Sequence, residues 1–131
     1  MELLASVVIP TYNQASRLRL TLESLRFQKT NSILYEVIVV DDGSNDETKE
    51  VIENYRNLLP LSYIFQDNQG RSTARNKGIL HSKGRFILFL DSDRPVLNNW
   101  IENHVRFHLN NKNCIGIGDI KEFYFSNLSK H

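Results

Sequence analysis

Asp91 and Asp93 stand one residue apart, directly after five apolar residues, Phe86-Ile87-Leu88-Phe89-Leu90. Consecutive apolar positions describe a strand covered on both faces, as in parallel sheets flanked by helices. The acids do not follow that strand inside, because an isolated ionised carboxylate in a low-dielectric core is too costly. They belong at or beyond its carboxyl end, in a crevice. Side chains two apart on an extended segment point the same way, so both carboxylates can reach one divalent cation. The alternative chemistry is local: an Asp-Ser-Asp after a strand also bonds its own backbone in a turn. A second acidic pair repeats the pattern, with Asp41-Asp42-Gly43-Ser44 following Tyr35-Glu36-Val37-Ile38-Val39-Val40.

The elements that must position these acids are read from apolar spacing. Ala5 to Ile9 form a first strand, expected to stop near Ile9 because Pro10 lacks the N–H of a central strand. Leu18, Leu22 and Leu25 give the next segment a helical face. Ser44 and Glu47 have the spacing of a capping box, which predicts a helix starting there, with Val51, Ile52 and Tyr55 inward and Pro60 closing it. Leu61 to Phe65 read as an edge-ward strand, followed by a turn at Asp67 to Gly70. A helix is expected over Ser72 to Ser82, with Gly84 as a left-handed cap, leading into the Phe86 to Leu90 strand. Trp100, Ile101, Val105 and His108 mark a further helix, and Cys114 to Gly118 a further strand. Strands alternating with helices give an α/β fold with a mostly parallel sheet, helices on both faces and right-handed crossovers. Its ligands lie beyond the strands' carboxyl ends, where Pro10 to Asn13, Asp41 to Ser44, Gly70 to Asn76 and Asp91 to Asp93 all fall.

Composition narrows the function. A chain of 131 residues is one domain by length, able to bury a core without staples. One cysteine, Cys114, forms no internal disulfide, and no secretory leader opens the sequence, which points to a reducing, cytoplasmic setting. No apolar run approaches the ~20 residues of a membrane-spanning helix. A formal net charge of +1 gives no broad nucleic-acid footprint, so a small anion is the expected partner.

Four segments in register, Ser6-Val7-Val8-Ile9-Pro10-Thr11-Tyr12-Asn13, Val39-Val40-Asp41-Asp42-Gly43-Ser44, Ala74-Arg75-Asn76 with Gly78, and Leu90-Asp91-Ser92-Asp93, resemble the nucleotide-binding part of family 2 glycosyltransferases. The resemblance runs from about Ser6 to Asp93 and more weakly to Gly118. It implies a Rossmann-like GT-A fold, a nucleotide-sugar donor, commonly a uridine diphosphate sugar, a Mg²⁺ or Mn²⁺ ion, and transfer with inversion to a glycan, lipid-linked or other acceptor, as in polysaccharide biosynthesis. Position by position it implies that Pro10, Thr11 and Tyr12 form the base pocket and Asp42 meets the uracil edge. That fits a carboxylate accepting from an imide N–H and an aromatic face beside a flat base. Arg71 and Arg75 become donor contacts, because a guanidinium fork matches phosphate oxygens and a helix N-terminus near Ser72 adds positive partial charge. One of them has the alternative of pairing with Asp67 or Asp91, and Asp41 that of pairing with a nearby basic group or a backbone N–H. Asn76 reads as a tie between loops. Asp91 and Asp93 match the family's Asp-x-Asp element, with Asp91 also at the nucleotide and Asp93 most directly on the metal. Where many relatives carry another acid this chain has Arg94-Pro95.

In the family a carboxylate well beyond that element takes the acceptor's proton, and the acceptor pocket comes mostly from the later half. The resemblance therefore implies that residues 1–131 are a single donor-binding domain cut short before the acceptor half, with any peripheral membrane association made through missing regions. Asp119 and Glu122 carry no pattern that makes either the base. Three other readings remain. A donor-binding module would keep the fold without turnover. A haloacid-dehalogenase-like phosphotransferase also ends an apolar strand in Asp-x-Asp, but near the start of the chain, and a receiver domain puts its acidic pair after the first strand. His104 and His108, four apart, have a metal-ligand spacing with no third ligand, so a half-buried helix face is expected. Phe123-Tyr124-Phe125 suits core packing, an acceptor or a lipid surface.

Overall fold

The computed structural model describes residues 2–112 and Gly116. Four strands and four helices alternate: β1 (Leu3–Thr11), α1 (Ala15–Arg26), β2 (Leu34–Asp41), α2 (Thr48–Tyr55), β3 (Leu61–Phe65), α3 (Arg71–His81), β4 (Phe86–Phe89) and α4 (Trp100–Asn110). All pairings are parallel, in the order β3-β2-β1-β4. Parallel strands bury both faces, and β1 shows why Val, Ile and Ala suit it: every residue from Ala5 to Thr11 is buried. Ala5, Val7 and Ile9 enter the larger core with Leu18, Leu22 and Leu25 of α1, Val51 and Ile52 of α2 and Ile101 and Val105 of α4. On the opposite face Ile38, Val40 and Ala74 form a smaller core. There α3 lies so close to β1 that a Cβ on Gly78 would sit 2.3 Å from Val8 Cγ1. Helices thus cover both faces, as expected for an α/β sheet.

Several boundaries differ from the sequence reading, each for a physical reason. β1 runs through Pro10 to Thr11. The Val8 carbonyl accepts from Leu90 N–H and the Thr11 carbonyl from Asp42 N–H, so backbone groups alternate between the two neighbours. Pro10 faces the β4 side, beyond the last paired residue, Val8, where no N–H is required. β4, like β3, is an edge strand among the described residues and is less covered than β1: Leu88 is buried, while Phe89 is 47% exposed. The capping box does not form. Ser44 Oγ accepts the Asn13 N–H at 2.8 Å, and α2 begins at Thr48. Its first turn is held by Asp46, which accepts from Thr48 N–H at 3.0 Å and Thr48 Oγ1 at 2.5 Å. Gly84 is no left-handed cap. α3 ends at Ser82 in an extended conformation, and Gly84 is needed because a Cβ there would lie 2.6 Å from the Ala5 carbonyl carbon. The strand expected at 114–118, Gly116 apart, lies outside the described residues, as do Asp119, Glu122 and Phe123 to Phe125. His108 stacks on Phe86 with ring centroids 5.5 Å apart, and both His104 and His108 are half-buried.

Candidate functional site at the carboxyl ends of the strands

The carboxyl ends of β1 and β2 are in register, with Thr11 beside Asp41 and Asp42 N–H donating to the Thr11 carbonyl at 2.9 Å. Because side chains alternate, the adjacent acids face opposite ways. Asp41 turns inward: it is 1% exposed and accepts from Ser44 N–H at 2.9 Å and from Tyr63 Oη–H at 2.5 Å. Burial, reinforced by that bond to Asp41, raises the Tyr63 pKa, so the phenol keeps the proton it donates. Asp41 is therefore a structural residue bonded to a backbone N–H, one of the alternatives the sequence left open.

Asp42 turns toward α3 and becomes the anchor of the loop before that helix. Its Oδ1 accepts from Gln66 Nε2 at 2.8 Å and Gln69 N–H at 2.7 Å, and its Oδ2 from Gly70 N–H at 3.0 Å. Burial pushes its pKa up, but the three hydrogen bonds outweigh that and hold it below the ordinary aspartate value. Asp42 is therefore an anion at neutral pH. Gly70, at φ +100°, makes the turn that brings its N–H to Asp42 and starts α3.

On the other side of β1, the segment after β4 is pinned to α1. The Ser92 carbonyl accepts from Thr21 Oγ1 at 2.8 Å, and Ser92 Oγ donates to Gln14 Oε1. Asp91 then faces α3, with Oδ1 3.7 Å from Arg75 Nη2 and 3.9 Å from Arg71 Nη1. Asp93 faces α1, 4.0 Å from Arg17 Nη1. Both arginines of α3 thus meet Asp91, and neither is paired with Asp67. The Arg75 guanidinium lies 5.9 Å over the Phe89 ring, and its buried Nε has no partner among the described residues.

These elements enclose a pocket of about 240 Å³ lined by Pro10, Thr11, Tyr12, Gln14, Asp42, Arg71, Ala74 and Ser92. Five residues expected at the nucleotide, Pro10, Thr11, Tyr12, Asp42 and Arg71, meet there. Arg75 and Asp91 are joined to it through Arg71, and Asp93 stands next to Ser92 with its carboxylate turned to Arg17. Tyr12 is 47% exposed, so it is not packed away between strand and helix. Thr11 Oγ1, buried in the wall, has no partner among the described residues. Asn76, expected to tie loops, is exposed on α3. Asn13 ties them instead, with its own N–H on Ser44 and its Oδ1 accepting from Asn45 N–H at 2.9 Å.

Sequence reasoning missed Gln14, Thr21, Gln66, Asp46 and Arg17. A signal existed for Thr21, a polar residue on the buried stripe of α1. None existed for Arg17, whose partner comes from a distant loop.

Ser92 and Asp93 form a turn and not an extended segment. The two acids therefore face α3 and α1 and not the common direction expected from their spacing. Each remains a hard oxygen donor of the kind a divalent cation takes. Asp91 and Asp93 offer carboxylate oxygens whose ion-pair partners stand 3.7–4.0 Å away, outside hydrogen-bonding distance. Among the described residues no group of three or more His, Cys, Asp or Glu is placed to hold an ion. One or two carboxylates suffice where substrate phosphates complete the shell.

The comparisons agree with this geometry. The model for glycosyl transferase family 2 matches residues 6–129. The chain is 32% identical over 131 residues to the uncharacterized glycosyltransferase YfnE of Bacillus subtilis (strain 168), covering 96% of this chain and 33% of that protein. It is 35% identical over 128 residues to chondroitin synthase of Escherichia coli, covering 96% and 18%. Among solved structures, S. aureus TarS 1-349 in complex with UDP-GlcNAc superposes with a TM-score of 0.77 at 29% identity, covering 92% of this chain and 38% of that one. The chain therefore spans a third or less of the two curated relatives named. With the parallel sheet, the four motifs at its carboxyl edge and a family match over nearly all its length, this chain belongs to glycosyl transferase family 2.

Proposed function

We propose that this chain is the donor-binding part of an inverting, metal-assisted transferase that takes a sugar from a uridine diphosphate sugar for a glycan or lipid-linked acceptor. The observation that carries the reading is the single pocket to which Thr11, Asp42, Arg71 and Ser92 contribute from four separate chain segments. Asp42 accepts the uracil imide N–H, Tyr12 covers the base, and Pro10 and Thr11 form the wall beneath it. Arg71 and Arg75 then exchange part of their attraction to Asp91 for the diphosphate, aided by the N-terminus of α3.

In the reaction a bond forms between the acceptor oxygen and the anomeric carbon as the bond from that carbon to the diphosphate oxygen breaks. Attack from the opposite face inverts the centre. Positive charge grows on the sugar, as in glycoside hydrolysis, and negative charge on the leaving diphosphate. Arg71 and Arg75 stabilise the second. Asp93 and Asp91 would hold a Mg²⁺ or Mn²⁺ ion, whose contribution when bound would be Lewis-acid neutralisation of that diphosphate. The acceptor's proton goes to a base outside this pocket, since in this reading Asp42 serves the uracil edge and Asp91 and Asp93 the metal. We assign the reaction to the cytoplasm, in keeping with the lone cysteine, with any contact to a membrane surface made by other regions. Among the described residues no helix is long and apolar enough to cross a membrane.

Calorimetry tests this directly. Uridine diphosphate with Mn²⁺ is expected to bind, and either Asp93→Asn or a chelator should weaken it about tenfold or more, the scale of losing one metal-ligating carboxylate. Equal affinity with chelator would remove the metal from the proposal. Equal affinity for adenosine diphosphate would remove the uracil contact.

A further inference from the structure

Gln66, a polar side chain only 4% exposed, directly follows β3. Its backbone N–H donates to the Asp41 carbonyl at 2.9 Å, continuing the β2–β3 ladder by one residue. Its side chain therefore leaves the strand at a fixed point, and Nε2 meets Asp42 Oδ1 at 2.8 Å. The amide's other end, Oε1, is buried with no partner among the described residues. An unpaired buried carbonyl is a net cost, which the bond from Nε2 to the buried Asp42 carboxylate offsets. What the glutamine does here is set by its bond to Asp42.

That bond acts on one oxygen of the carboxylate. Gln66 and Gln69 N–H together occupy Oδ1, whereas among the described residues Oδ2 accepts only from Gly70 N–H. A carboxylate oxygen takes about two hydrogen bonds. Oδ2 is thus the oxygen left with room for a ligand N–H, and Asp42 lines the pocket. We propose that Gln66 is a positioning residue: by filling Oδ1 it fixes the plane of the Asp42 carboxylate and presents Oδ2 to the nucleobase. It acts on base recognition and not on the diphosphate, since its hydrogen bonds run to Asp42 and the Asp41 carbonyl and not to Arg71 or Asp91. This rests on the uridine-donor reading above.

The test compares two probes on the whole chain in the presence of Mn²⁺: uridine diphosphate, which carries the base, and inorganic pyrophosphate, which does not. In the wild type uridine diphosphate should bind more tightly. Gln66→Met keeps the side chain's length without the donor, and Gln66→Asn keeps an amide but draws it back by one methylene. Each should lower uridine diphosphate affinity about tenfold, the scale of one hydrogen bond to a charged group, with pyrophosphate affinity unchanged. A purely structural role predicts that both probes fall together, and that result, or a variant retaining full preference for uridine diphosphate, overturns the assignment. Wild-type protein that binds both probes equally overturns the uridine reading itself, and the role of Gln66 with it. If Gln66→Met fails to fold, the same comparison on Gln66→Asn decides the matter.

Discussion

Asp46 is a single side chain that fastens two helices. One oxygen takes the Ala15 N–H at 3.1 Å, at the start of α1, and the other takes Thr48 N–H and Oγ1 at the start of α2. Burial raises its pKa, but those bonds prevail and leave it lowered. The sign of the linkage follows: a carboxyl more acidic in the folded state stabilises that state above the ordinary aspartate pKa, about 3.9. The contribution fades as the pH falls through the lowered folded value. Asp46→Ala should therefore cost about 1–2 kcal/mol at pH 6, in the range of a lost helix cap. Urea unfolding at pH 6 and again near pH 2 measures this, and the gap between wild type and variant should narrow in acid. The sequence made the acids visible, because carboxylates after apolar runs are unmistakable, but not their partners. Asp41 and Asp42 are neighbours facing opposite ways, and which one lines the pocket depends on strand register. Ser44 and Glu47 had the right spacing for a cap, and Asn13 took Ser44 from another loop.

At the level of elements, the strands and helices were legible because their apolar periods are clean, and errors gathered where two elements touch. Pro10 stops a strand only if its missing N–H faces a partner, and it does not. Gly84 was read as a helix terminator, yet its place is dictated by the first strand, against the backbone of Ala5 and Ser6. Gly78 has a related task, letting α3 lie on Val8. The two glycines should respond differently to an added methyl. In Gly78→Ala the clash, at 2.3 Å, is with a methyl of the buried Val8, whose side chain must shift as a whole. In Gly84→Ala it is with main chain, 2.6 Å from the Ala5 carbonyl carbon. Both fall in the range of about 1–3 kcal/mol for overpacking, with Gly84→Ala the larger. Denaturant midpoints at an unchanged slope check the order.

For the molecule as a whole, strand order decides what the motifs can do together. β1 is flanked by β2 and β4, so the acidic loops leaving those two strands stand on either side of Pro10 and Thr11, and α3 brings its arginines over the same edge. Sequence order alone lacks this information, since β2 and β4 are separated by β3 and two helices in the chain. What the alternation did supply was the edge itself, because every loop after a strand in such a sheet opens the same way. One feature of that edge reaches beyond binding. The N–H groups of Gln69 and Gly70 are committed to a side chain and not to the main-chain ladder. They form a pair of built-in probes, and in a nitrogen-proton NMR titration their two signals should travel together as Asp42 takes up a proton below the usual aspartate range. The electrical state of the pocket is thus written onto two neighbouring amides, where it can be followed with no nucleotide in the tube.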